Sequence, residues 1–135
     1  DLSNIVEKAV VLKANNFDII SLNKRGRETK KASRLKKIKV CFDISENVVV
    51  EPGAKDVFIR IVRPDDLVLT KSVENLFEFE GMEIVYSAKR LLEYENKEAQ
   101  ICIFWENDEI YLPGNYSVDV FLEGNLVGSA DFEMK

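Results

Sequence analysis

The sequence predicts an all-β fold, an antiparallel β-sandwich of about seven or eight strands. Three observations predict it. Apolar and polar residues alternate with a period of two through several runs, which gives each strand one apolar face. Turn residues separate these runs about every 10 to 15 residues, and all three prolines lie beside turn residues. No helical pattern long enough to connect parallel strands lies between the runs.

The composition fits one globular domain of 135 residues. No apolar run approaches the roughly 20 residues that a membrane-spanning helix needs. Histidine is absent, which excludes His-based catalytic triads and the commonest zinc sites. The sequence also lacks a Gly-rich phosphate loop, a Cys-x-x-Cys pair and a nucleophile elbow. We therefore expect no enzyme activity, no cofactor and no metal site.

Residues 1–9 are expected to form a stub outside the sandwich domain, which we place at residues 10–135. The stub has apolar residues at helical spacing, namely Leu2, Ile5, Val6 and Ala9. Two turns do not make a helix that is stable alone, so this could be the end of an upstream helix. Because the chain begins at Asp1 rather than Met, a signal peptide or a lipid anchor upstream stays open.

The first half of the domain contains four predicted strands. Residues 10–12 and 17–22 are expected to form one interrupted strand, and residues 36–45 the strongest strand of the chain, with Ile38, Val40, Phe42 and Ile44 on its core face. A turn at Pro52 and Gly53 precedes a strand at 57–62. A further strand is expected at 67–70.

The middle of the chain is ambiguous. Strand-rich residues predict a strand at 83–87, extended through Tyr94, although residues 88–99 also tolerate a short helix. Residues 95–97 are expected to turn the chain in a hairpin into a buried strand at 99–105.

The clearest pattern is a C-terminal hairpin. Its two runs alternate around Glu123, Gly124 and Asn125, where Gly124 supplies the turn. A three-residue loop pairs the apolar residues Leu122 with Leu126, Val120 with Gly128, Val118 with Ala130, and Tyr116 with Phe132. A two-residue loop would set the two patterns against each other unless a bulge corrected the register.

The two cysteines, Cys41 and Cys102, are expected to be free thiols. Cys41 alternates with the core residues of its strand and so points outward. A buried disulfide between the two sheets would need both thiols on inner faces.

The charge is unevenly distributed along the chain. The net charge is −5, but residues 1–39 hold eleven Lys or Arg and four acids, whereas the rest holds eight and twenty. The segment 24–39 could form a local basic face for a polyanion, with Lys30, Lys31, Arg34 and Lys36 as the candidate binding residues. A nucleic-acid partner is disfavoured, because the overall negative charge repels phosphate. Ordinary solvation of the segment is the simpler alternative.

Aromatic residues offer a second candidate surface. Phe121 falls on the polar-looking face of its strand and could be exposed, and Trp105 could join it. Side by side, such rings would suit a carbohydrate-binding sandwich.

The run Leu112-Pro113-Gly114-Asn115-Tyr116 resembles the tyrosine corner of immunoglobulin-like and fibronectin-type sandwiches. The resemblance gives Tyr116 a structural role, in which it hydrogen-bonds back across the corner, and places Gly114 in the same motif. The domain is therefore expected to be an immunoglobulin-like antiparallel β-sandwich.

The sequence also resembles uncharacterised cell-envelope proteins of the Bacteroidota. The resemblance lies in residues 113–120, the turn Glu123-Gly124-Asn125 and residues 34–42. That resemblance implies a non-catalytic interaction or spacer module in the periplasm or cell envelope, anchored through a segment upstream. Its expected partner is another protein or another domain of the same chain. The resemblance implies no catalytic residue.

Overall fold

The computed structural model describes residues 12–106 and 111–135. Within these ranges the chain forms nine β-strands and one short 3-10 helix at Ala32–Arg34. The strands are β1 Ala14–Leu22, β2 Lys37–Ile44, β3 Gly53–Val62, β4 Leu76–Phe79, β5 Met82–Val85, β6 Ala88–Tyr94, β7 Ala99–Glu106, β8 Gly114–Leu122 and β9 Asn125–Met134. The predicted stub at residues 1–9 lies outside the described residues.

Two antiparallel sheets make up the sandwich. One has the order β1-β2-β7 and the other the order β6-β3-β8-β9. The inner residues of β2, β3 and β8 are fully buried and belong to one core cluster, which comprises Ile38, Val40, Phe42, Ile44, Val57, Ile59, Ile61, Tyr116, Val118 and Val120. The predicted antiparallel β-sandwich is therefore confirmed, with nine strands where seven or eight were expected.

The sheets also approach each other at both edges, where β1 contacts β9 and β6 contacts β7. A Cβ atom on Gly128 of β9 would lie 2.6 Å from the backbone oxygen of Ala14 in β1. Glycine is needed there because the two backbones come too close for a side chain. At the other edge, the Arg90 guanidinium of β6 donates a hydrogen bond to the backbone oxygen of Cys102 in β7.

Some predictions about the middle of the chain need correction, and one ambiguity is resolved. Residues 67–70 form only an isolated bridge between Val62 and Val68 rather than a strand. Residues 95–98 do not make a hairpin, because β6 pairs with β3 and β7 pairs with β2. The segment therefore carries the chain from one sheet to the other. The ambiguity at 88–99 is resolved as strand for Ala88–Tyr94, which pairs along β3, whereas residues 95–98 lie outside the strands. The strand predicted from 83 through Tyr94 is interrupted at 86–87, so it forms β5 and β6.

The C-terminal hairpin keeps most of its predicted pairing. Val120 pairs with Gly128, Val118 with Ala130, and Tyr116 with Phe132. The loop has two residues rather than three, however, so Leu122 pairs with Asn125 and not with Leu126. Glu123 and Gly124 have φ angles of 53° and 78°, as a type I′ turn requires. A register shift after Val120 reconciles this short turn with the alternation.

The prediction of free thiols is wrong, since Cys41 and Cys102 form a disulfide. The two residues are directly paired on the adjacent strands β2 and β7. Cys41 does alternate with the inner residues, as predicted. The error lay in expecting a disulfide to cross between sheets, when this one joins neighbouring strands of one sheet.

Candidate functional site

The basic segment of the sequence forms the connection between β1 and β2. It begins with a turn that the Asn23 side chain organises. Asn23 Oδ1 accepts hydrogen bonds from the backbone N–H groups of Arg25 at 2.9 Å and Arg27 at 3.0 Å. Gly26 takes a φ of 78° in this turn, and its N–H donates to Asn23 O at 3.0 Å. The turn therefore has one defined conformation, with Lys24 and Arg25 exposed at its tip.

The second half of the connection is anchored to the sandwich. Ala32 and Leu35, in and after the 3-10 helix, are buried in the core cluster. The Ala32 N–H donates to Lys135 O at 2.7 Å, and the Lys36 N–H donates to Leu22 O at 2.9 Å. Backbone hydrogen bonds thus hold the connection both to the chain end after β9 and to the end of β1.

Between the turn and the 3-10 helix lies an open depression of about 390 Å³, which we call the basic pocket. Four cationic side chains and no carboxylate line it, and its lining residues are Asn23, Lys24, Arg25, Ser33, Arg34, Leu35 and Lys36. A smaller depression of about 140 Å³ adjoins it and shares Asn23, Lys24 and Lys36. The arrangement concentrates positive charge on one small surface of an acidic protein.

Two lysines of the basic segment that lie outside the pocket are paired with carboxylates. Lys30 Nζ lies 3.5 Å from Glu28 Oε1, and Lys37 Nζ lies 3.8 Å from Glu106 Oε2. Within the part of the chain that the structure describes, no ion pair involves Lys24, Arg25 or Arg34. The pocket therefore keeps cationic groups that are not neutralised by their own chain.

Of the four basic residues predicted from the sequence, Arg34 and Lys36 line the pocket. Lys30 and Lys31 do not line it. Sequence reasoning left out Lys24 and Arg25 as individual candidates. The turn signature that contains Gly26 could have found them, because it brings the start of the connection back toward its end.

The family of the chain follows from a comparison of sequences. The model of one family, described as a domain of unknown function (DUF8428), matches residues 15–135. This chain belongs to the DUF8428 family. No curated protein matches it significantly.

Solved structures of two other proteins match most of this DUF8428 domain at low sequence identity. One is the Pseudomonas fluorescens alkylpurine DNA glycosylase AlkC bound to DNA containing an abasic site analog, at 16% identity and a TM-score of 0.48 over 92% of this chain and 30% of that one. Another is a β-glucosidase from Kluyveromyces marxianus, at 14% identity and a TM-score of 0.47 over 89% of this chain and 14% of that one. The DUF8428 chain thus spans less than a third of either protein.

The aromatic surface expected at Phe121 is covered in the DUF8428 structure. Phe121 does lie on the outer face of β8, but only 3% of it is exposed. The hairpin of β4 and β5 packs over it; the predicted strand at 83–87 overlaps β5, but β4 and the hairpin were not predicted. Phe77 and Phe79 of β4 have ring centroids 5.0 and 4.9 Å from that of Phe121, and Phe77 also stacks on Phe58 at 4.6 Å. The expectation of an exposed Phe121 is therefore wrong.

Trp105 is also unavailable to a ligand, with 1% of its surface exposed. Its indole Nε1 donates to Tyr111 Oη at 3.1 Å, and Lys71 Nζ lies 4.7 Å from its ring centroid. Trp105 belongs to the core cluster, and the ring packs there with Tyr111. The expected pair of exposed rings, Phe121 and Trp105, does not form a carbohydrate platform.

The tyrosine corner is confirmed. Tyr116 is fully buried at the start of β8, and its Oη donates to Leu112 O at 2.6 Å. Burial raises the pKa of the Tyr116 phenol. A Cβ atom on Gly114, which has a φ of 136°, would lie 2.9 Å from the Pro64 ring. Gly114 thus lets the corner pack against the loop after β3, and Gly124 supplies the left-handed residue of the last turn.

An apolar groove lies beside the β4–β5 hairpin. It has a volume of about 420 Å³, and its apolar lining residues are Leu67, Val68, Leu69, Val73 and Val85. Leu67 is 57% exposed and Val73 is 78% exposed. We call this feature the apolar groove.

Among residues 12–106 and 111–135, no group of three or more Cys, Asp or Glu side chains could hold a metal ion. Over the same ranges there is no helix with the length and hydrophobicity to cross a membrane.

Proposed function

We propose that this DUF8428 domain is a non-catalytic interaction module of a cell-envelope protein and acts outside the cytoplasm. The observation that carries the proposal is the disulfide between Cys41 and Cys102. Disulfides persist in oxidising compartments such as the periplasm and are rare in the reducing cytosol. The resemblance to envelope sandwiches of the Bacteroidota supports the same location.

The position of the disulfide in the chain adds to this argument. It joins residues 61 positions apart, and in the chain-entropy account a loop of that size stabilises the folded state by about 4 kcal/mol. That amount is a large part of the stability of an ordinary domain. A domain that depends on the cross-link suits a compartment in which the cross-link forms.

Several side chains that could take part in chemistry have structural roles instead, which supports a role in binding rather than catalysis. Tyr94 Oη donates to Ser45 O at 2.8 Å and accepts the N–H of Asn47 at 2.8 Å, which ties the end of β6 to the chain after β2. Tyr116 forms the corner, and both thiols are oxidised. These groups are engaged in holding the sandwich together.

The apolar groove is the surface we assign to a protein partner. Exposed apolar side chains that line a concave surface are typical of protein interaction sites. Leu67 and Val73 have this position, at the rim of the groove. The groove lies at the loop after β3, away from the basic pocket.

Trapping of thiols in intact cells tests the location. Cells that produce the full native protein are quenched in acid, and free thiols are blocked before reduction and labelling with a maleimide of high mass. We expect both cysteines to be labelled only after reduction. Absence of the label after reduction in the wild-type protein, which means that the thiols were free and therefore blocked, would contradict the proposal. Cys41→Ser serves as the control in which Cys102 has no disulfide partner in the domain and is blocked.

A matched pair of substitutions tests the interaction. Leu67 and Leu91 are each 57% exposed, but only Leu67 lines the groove. We expect Leu67→Glu to abolish cross-linking to the neighbouring protein or domain in cells, and Leu91→Glu to leave it unchanged. Equal cross-linking in both variants would exclude the groove as the contact surface.

A further inference from the structure

We propose that the basic pocket is a binding site for a compact ligand that carries phosphate or sulfate groups. Arg25 and Arg34 contribute planar guanidinium groups, which match the geometry of such oxyanions through paired N–H donors. Lys24 and Lys36 add ammonium groups, and the Ser33 hydroxyl is a further donor. The site does not depend on the compartment of the protein.

The pocket is preorganised for such a ligand. The Asn23 side chain fixes the turn that carries Lys24 and Arg25, and the buried Ala32 and Leu35 fix the segment that carries Arg34. A rigid site loses little conformational entropy when the ligand binds. The backbone that carries the cationic side chains is therefore fixed before a ligand arrives, and the approach of an anion to these positive charges is electrostatically favourable.

The size of the pocket, about 390 Å³, favours a compact ligand over a long polyanion. Lys30 and Lys37 lie outside the pocket and are paired with Glu28 and Glu106. Glu106 also lines the adjoining depression, so a carboxylate borders the pocket on that side. The net charge of −5 further opposes the approach of a nucleic acid at long range.

Calorimetric titration of the whole domain at low salt tests the proposal, with inorganic pyrophosphate in one arm and a fully sulfated heparin disaccharide in the other. We expect saturable binding at one site for at least one probe, with an affinity that falls as salt is added. Binding of pyrophosphate alone assigns a phosphate ligand, and binding of the disaccharide alone assigns a sulfated sugar. The absence of saturable binding in both arms would overturn the proposal.

Substitutions locate the site. Arg25 and Arg34 are exposed, so Arg25→Gln and Arg34→Gln should fold normally, which thermal unfolding verifies. Each variant is expected to lower the affinity about tenfold or more, the usual loss for a charge-assisted hydrogen bond. Lys30→Gln removes the same charge from the same connection but outside the pocket, and it should change the affinity less than about twofold.

Two results would contradict the pocket as the site. One is an equal loss of affinity in Lys30→Gln and in the two arginine variants, which would indicate diffuse charge attraction. The other is tighter binding of a single-stranded oligonucleotide than of either small probe, with Lys30 contributing, which would favour an extended polyanion.

Discussion

Two excursions from the sandwich, the connection at 23–36 and the β4–β5 hairpin at 76–85, are held in opposite ways. Hydrogen bonds that the Asn23 side chain accepts and backbone hydrogen bonds fix the basic connection, and Lys24, Arg25 and Arg34 are exposed. The hairpin is held instead by aromatic rings, since Phe77 and Phe79 pack on Phe121. Because its backbone is fixed, the connection can present exposed side chains such as Arg25 and Arg34 to a ligand, whereas the rings of the hairpin are engaged in packing.

The charges of the two regions are also opposite. The connection holds the cationic pocket, whereas Glu78, Glu80 and Glu83 are exposed at the end of the hairpin. Glu78 and Glu83 are directly paired across the two strands, an arrangement that like charges disfavour. The ring contacts outweigh this repulsion. Substitutions in the hairpin therefore test how much hydrophobic packing holds it on the sandwich. Substitutions in the connection test whether its hydrogen bonds prepare it for a ligand.

The largest effect is expected from Phe121→Ala, which removes the ring on which the hairpin packs. Loss of a buried Phe should lower the free energy of unfolding by about 3–5 kcal/mol, measured by equilibrium unfolding in urea. Phe104→Ala is the control, because that ring is 50% exposed. Similar losses in both variants would contradict the packing described for the hairpin. Binding of the anionic probes should be unchanged in Phe121→Ala.

Asn23→Ala disrupts the turn at the start of the basic connection. It removes the acceptor of two backbone N–H groups and should cost about 1–2 kcal/mol of stability. Because the turn loses its defined conformation, the affinity for the pocket probe should fall as well. Asn125→Ala is the control, since the Asn125 amide makes one exposed hydrogen bond in the last turn. Probe binding that survives Asn23→Ala at full strength would show that preorganisation is not needed.

Two glycines sharpen the comparison, because their backbones are alike. Gly26 in the connection and Gly81 in the hairpin both have a φ of 78°, and nothing lies within 4 Å of a Cβ atom built on either. Alanine at each site should cost about 1 kcal/mol, because the left-handed conformation is strained for it. The two losses of stability should be equal in thermal unfolding. Only Gly26→Ala should weaken binding of the anionic probe, and a matching loss in Gly81→Ala would contradict the assignment.

High pH should lower the stability of the sandwich itself rather than act on the basic connection or the β4–β5 hairpin. Burial raises the pKa of Tyr94 and of Tyr116 above the ordinary value of 10.0. The folded state therefore favours the neutral phenol, and this contribution is fully present below the unfolded pKa and lost as the pH rises through the folded pKa. Urea unfolding across this pH range should show a shallower decline for Tyr116→Phe than for the wild type. Identical slopes would contradict the burial argument.

The sequence predicted what local alternation and turn chemistry decide. The core face of β2, the tyrosine corner at Tyr116 and most of the last hairpin follow from period-two patterns and from glycine positions. The resemblance to a tyrosine corner predicted the role of Tyr116, and the structure shows the hydrogen bond that this role requires.

The remaining features depend on residues far apart in the chain. Alternation placed Phe121 on the outer face, but it could not show that Phe77 and Phe79, more than 40 residues earlier, cover that face. It placed Cys41 outward, but the pairing with Cys102 follows from the register of β2 and β7. Of the four candidate basic residues only Arg34 and Lys36 line the basic pocket, and Lys24 and Arg25 join Arg34 there only because the turn folds back.

The central claim is that the basic connection is a preformed oxyanion site, whereas the acidic hairpin is a docked structural element. Titration of the ¹⁵N-labelled domain with pyrophosphate, followed by amide chemical shifts, tests it most directly. The account predicts saturable shifts confined to residues 23–36 and their immediate neighbours, with the amides of residues 76–85 unmoved. Shifts that are absent, or that spread equally over both regions, would contradict it.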